Sequence, residues 1–147
     1  MLLTYFLRVM QINYASILEL IEVWRGIEGE SARLAATRHT DAQLLEMNQS
    51  INAMRDCLSD AQAYSTLYVQ LHILIGQASG NAVIAYSVES DCEASLRGLE
   101  RRQADQLNRV QVLHEVLGGA IAQGDAALAH QTMTLDMNEA IASFMAL

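Results

Sequence analysis

The stretch "SILELIEVWRGIEGESARLAATRHTDAQL", residues 16–44, decides the fold. Ser16 followed by Glu19 is a capping box, in which the hydroxyl and the carboxylate satisfy backbone amides at a helix start. Thr40 and Gln43 repeat the device. Between the two boxes, Ile17, Leu20, Ile21, Trp24, Ile27 and Leu34 recur at spacings that place them on one helix face. One helix therefore stops near Arg38 and the next starts almost at once. A connection that short turns the second helix back along the first.

The same punctuation continues outward. Ser59 opens "SDAQ", a third box, and a helix that runs to Gly80 and Asn81. Both residue types tolerate the left-handed conformation in which helices commonly end. A fourth helix is expected from Ala82 to about Gln103, closing in the polar run "LERRQADQ". A fifth carries Val110, Leu113, Leu117 and Ile121 and stops at Gly124, where Asp125 caps the sixth, which carries Met133, Met137 and Ala140. No strand pattern, repeat or linker interrupts the series. The fold class is all-α, an antiparallel helical bundle of about six to seven helices.

Composition agrees and narrows the function. A chain of 147 residues is the size of one domain and long enough to bury its own core. It has no proline, which favours uninterrupted helices. The net charge of −8 argues against a grip on phosphate backbones. Cys57 and Cys92 lack metal-type spacing and read as free thiols of a cytoplasmic protein. No apolar run reaches transmembrane length, so no membrane is expected. Residues 1–15 read as an apolar segment or linker stub, without the basic lead or cleavage site of a signal peptide.

Three helices turn ionisable groups toward their apolar faces. Tyr68 and His72 lie four apart in "LYVQLHILIGQASGN", residues 67–81, on one face with Tyr64 and Ile75. His114 shares a face with Val110, Leu117 and Ile121, and Asp136 shares one with Met133 and Met137. A bare buried carboxylate is too costly to leave alone, so Asp136 needs a cation, a donor or water. Two imidazoles and a carboxylate from different helices fit a metal site with open positions, or a small polar pocket for an acid. Satisfied core histidines and a solvent-facing Asp136 are the plain alternative. His39 and His130 sit in polar contexts and read as surface residues. There is no phosphate-binding glycine loop and no G-x-S-x-G elbow.

Three segments in register resemble the C-terminal effector domain of GntR-family transcriptional regulators, the FadR-like FCD type. They are "ELIEVWRGIEGESARLAATRHTDAQL", "LHILIGQASGN" and "HEVLGGAIAQGDAALAHQTM", which together span the chain from about residue 16. The resemblance implies an FCD-like domain over 16–147 that binds a small carboxylate effector and forms a homodimer. It also implies an Asp and three His holding a divalent metal, zinc or nickel, inside the bundle. His72 and His114 keep two of those positions, while Tyr68 stands in the place of the Asp and Asp136 in the place of the last His. His72, His114 and Asp136 are the expected metal ligands. Tyr68, Trp24, Arg25 and Asn81 are the expected effector contacts. Trp24 occupies a position usually held by Arg, and Arg25 points about 100° away around the helix. The family's winged helix-turn-helix has no counterpart here, so DNA binding is not expected of this chain alone. A dimerisation or interaction module with a degenerate pocket is the second reading, and a metal-dependent enzyme the third.

Overall fold

The computed structural model describes residues 17–99 and 104–145. They form six α-helices and no strand: α1 Ile17–Arg38, α2 Asp41–Arg55, α3 Ala61–Ala78, α4 Ala82–Leu99, α5 Ala104–Ala122 and α6 Ala126–Met145. The expected segment 1–15, the cap at Ser16, the side chains of Ile17 and Ile21 and the approach to Gln103 lie outside the described residues.

The helix ends follow from the capping chemistry, with one correction. Thr40 makes the full box: its hydroxyl accepts from the Gln43 amide while Gln43 accepts from the Thr40 amide. Asp125 accepts from the Leu128 amide at 3.0 Å. Gly80 (φ 65°) and Gly124 (φ 71°) take the left-handed conformation that closes α3 and α5. Ser59 does not cap α3. The cap is Asp60, whose carboxylate accepts from the Ala63 amide. The two are adjacent cap-forming residues, and the ionised one gains more from the positive end of the helix.

The connections at 56–60, 79–81 and 123–125 are short and the helices they join pack: α2 on α3, α3 on α4, α5 on α6. The connection at 39–40 is shorter still, yet α2 does not turn back to pack along α1 as expected: Thr40 is extended and carries the chain away, and α2 packs on α3 and α5 instead. The ends of the chain close the bundle, with α1 lying along α6 and also touching α3, α4 and α5. The interior is built from Met47, Ile51, Met54, Tyr64, Leu71, Ile75, Leu107, Leu117, Ile121 and Met133. Ala32, Ala35 and Ala36 line the inner face of α1, where small side chains let the surrounding helices come close. At Gly118 a Cβ would lie 2.7 Å from Ile51 Cδ1, so the α2–α5 approach depends on the missing side chain. Gln111 spans the same junction, accepting from the Tyr64 hydroxyl at 3.1 Å and donating to the Ile51 carbonyl at 3.0 Å.

Candidate functional site

Four helices deliver polar side chains to one point inside this core. On α3, Tyr68 and His72 stand one turn apart among the buried residues Leu71 and Ile75, and their rings stack with centroids 4.3 Å apart. His114 enters from α5 and Asp136 from α6. Glu28 enters from α1. His114 and Asp136 are fully buried, His72 is 1% exposed and Glu28 2%.

Asp136 is the hub. Its Oδ2 lies 3.1 Å from the Tyr68 hydroxyl, 3.0 Å from His72 Nε2 and 3.2 Å from His114 Nε2. On the other side of the His72 ring, Nδ1 lies 3.1 Å from Glu28 Oε2. A carboxylate thus stands at each nitrogen of the His72 ring, an arrangement that favours its protonated form while no ion is bound. Burial by itself would lower the His72 pKa, but the carboxylates of Glu28 and Asp136 outweigh it and push it up to about 10. Burial would raise the pKa of Asp136, yet the facing rings of His114 and His72 hold it well below the ordinary carboxylate range.

Two atoms of this network stay unsatisfied: Asp136 Oδ1 and His114 Nδ1 are buried without a hydrogen-bond partner. Such groups cost about 1–3 kcal/mol each unless something pairs with them. The donor set suits a divalent cation. His72, His114 and Asp136 each offer a ligand atom, all within 4.8 Å of one another. In a tetrahedral site with arms of about 2.0–2.1 Å the ligand atoms sit about 3.3 Å apart, and here Nε2 to Oδ2 is 3.0 and 3.2 Å. Two of the three spacings thus match such a site, and the free Oδ1 gives the carboxylate a second oxygen to offer.

The expected site residues divide into two groups. Tyr68, His72, His114 and Asp136 converge. The second group is Trp24, Arg25 and Asn81. Trp24 is half-buried against the core. Arg25 donates to Asn138 Oδ1 at 3.1 Å. Asn81 Oδ1 accepts from the Val83 and Ile84 amides at the start of α4, and the residue lines a separate open groove of about 420 Å³ with Ile73, Gln77, Tyr86 and Glu89. His39 is half-buried rather than a plain surface residue, its Nδ1 2.8 Å from the Ala35 carbonyl. Glu28 is the member that sequence reasoning missed. Its signal was present: Leu20, Trp24, Glu28, Ser31 and Ala35 recur at helical spacing, so a carboxylate stands on the buried stripe of α1.

A model of the FCD domain family matches residues 19–139. Two solved structures share the architecture. One is the Streptococcus agalactiae GntR, with a TM-score of 0.71 and 20% identity over 82% of this chain and 56% of that one. The other is E. coli McbR/YncC, with a TM-score of 0.71 and 17% identity over 85% of this chain and 62% of that one. At such identities they show the fold alone, and this chain spans less than two-thirds of the length of either. No curated protein matches the sequence.

Proposed function

The chain belongs to the FCD domain family, and on that premise we propose that it is the effector-sensing domain of a GntR-type transcriptional regulator. It binds a small organic acid inside the bundle, next to a divalent metal, zinc or nickel, held by His72, His114 and Asp136. Tyr68 offers its hydroxyl to the effector. FCD domains of GntR-family regulators are not enzymes, and no catalytic residue is assigned. The domain works as a homodimer in the cytoplasm, and DNA is contacted through a winged-helix domain outside this chain. Effector binding shifts the dimer between arrangements only to the extent that the acid prefers one of them.

The observation that carries this reading is Asp136: fully buried, with Oδ2 facing two imidazoles and Oδ1 unpartnered. Charge explains why the acid and the metal go together. Two carboxylates, Glu28 and Asp136, already face the site, and carboxylates so close disfavour a further anion. A divalent ion supplies the positive charge that an incoming carboxylate needs, acting as a Lewis acid toward it.

A second reading draws on the same contacts. His72 is already bonded at both nitrogens, so the cluster also makes sense as an internal clamp in a module that only dimerises or docks on a partner. A thermal-shift screen separates the two. Stripped protein is heated with zinc or nickel alone, with a panel of small carboxylic acids alone, and with both. The sensing reading expects stabilisation by metal, and by an acid only when metal is present. No response in any arm points to the clamp.

A further inference from the structure

Glu28 is the one charged group of the cluster to which effector binding gives no task. It is 2% exposed and lies 3.1 Å from His72 Nδ1, on the ring edge facing away from Asp136. A carboxylate so far from water survives only with a well-aligned partner, and that partner is the imidazole. The nitrogen with which a histidine grips an ion is decided by what its other nitrogen is bonded to. The two imidazoles differ here: His72 is anchored at Nδ1, whereas His114 Nδ1 has no partner.

We propose that Glu28 is a positioning residue. It fixes the His72 ring with Nδ1 as the donor and Nε2 aimed at Asp136 and the ion, and so joins α1 to the site through one side chain. The proposal rests on the reading that His72, His114 and Asp136 hold a divalent metal. Glu28 touches neither ion nor effector. It acts through the ring, as outer carboxylates do where histidines bind metals, and losing such a partner typically weakens metal binding about 10–100-fold. It also makes His72 the more firmly oriented of the two imidazole ligands, since His114 Nδ1 has no such anchor.

The test uses the full chain, stripped with a chelator and titrated with zinc against a chromophoric competitor at fixed pH. Wild type, Glu28→Gln and Glu28→Leu are compared, with circular dichroism to check folding. Zinc affinity is expected to fall about 10–100-fold in Glu28→Leu. Glu28→Gln keeps the shape and an acceptor but not the charge, so it falls between, and it carries the comparison if the Leu variant does not fold. Imidazole nitrogen spectra of the zinc-loaded proteins give the second readout. The His72 Nδ1–H signal should be sharp in wild type and lost or mixed with the other tautomer in Glu28→Leu. Unchanged affinity in both variants overturns the positioning role and leaves the metal site standing. Weaker binding with an unchanged His72 signal overturns it too, because Glu28 would then act only on the fold. A wild-type chain that takes no zinc overturns the metal reading and this proposal together.

Discussion

His72 concentrates the chemistry of the site, because two buried carboxylates act on one ring. Its pKa is pushed up to about 10 from the ordinary 6.5. A cation stabilised in this way contributes fully below 6.5, and the contribution drains away as pH rises toward about 10. Asp136 behaves oppositely: its lowered pKa gives a contribution that is complete above the ordinary 3.8 and lost as pH falls further. The metal-free chain is therefore expected to unfold at lower urea at about pH 9 than at about pH 6, and His72→Gln should show a smaller difference between the two. An equal drop in both proteins would place the alkaline sensitivity elsewhere. Tyr68, His72, His114 and Asp136 were legible in the sequence because each sits at helical spacing from apolar neighbours and falls in register with three family-like segments. Glu28 was not singled out, since the adjacent Ile27 and Leu34 give α1 an adequate apolar stripe without it. Asn81 is a polar residue at a helix junction, and its oxygen is taken by the amides of α4.

At the scale of elements, capping residues and close approaches set the bundle. Asp60→Ala should cost about 0.5–2 kcal/mol, the usual loss for an N-cap, whereas Ser59→Ala should stay within about 0.5 kcal/mol. Urea denaturation of the two variants distinguishes them, and the reverse order would restore Ser59 as the cap. The α2–α5 contact gives a sharper case. Gly118→Ala gains about 1 kcal/mol of helix propensity, but its Cβ meets Ile51 Cδ1 at 2.7 Å. Overpacking of that kind costs about 1–3 kcal/mol. Ile51→Val removes the clashing methyl, so Gly118→Ala should be better tolerated in the Ile51→Val background by roughly 0.5–3 kcal/mol of coupling. Additive effects would show that the two helices adjust freely. Helix order and most ends could be read from caps and glycines because those are local bonds within four residues. That α1 lies along α6 could not, because it joins opposite ends of the chain and no local signal encodes it.

At the scale of the whole molecule, charge bears on DNA binding. With a net charge of −8 the isolated chain is expected to give no mobility shift of promoter DNA at moderate salt. Salt-sensitive, sequence-specific binding by this chain alone would contradict that. No described helix is long and apolar enough to cross a membrane. The bundle exists, on this account, to hold one charged point in an otherwise apolar interior, where a cation and an acid interact more strongly than in water. Elemental analysis tests that most directly. Wild type, His72→Ala and His114→Ala are loaded with excess zinc or nickel, dialysed, and assayed for metal per folded chain. One ion per wild-type chain and a clear loss in both variants is the expected result. Metal absent from wild type, or retained equally by all three proteins, would contradict the account.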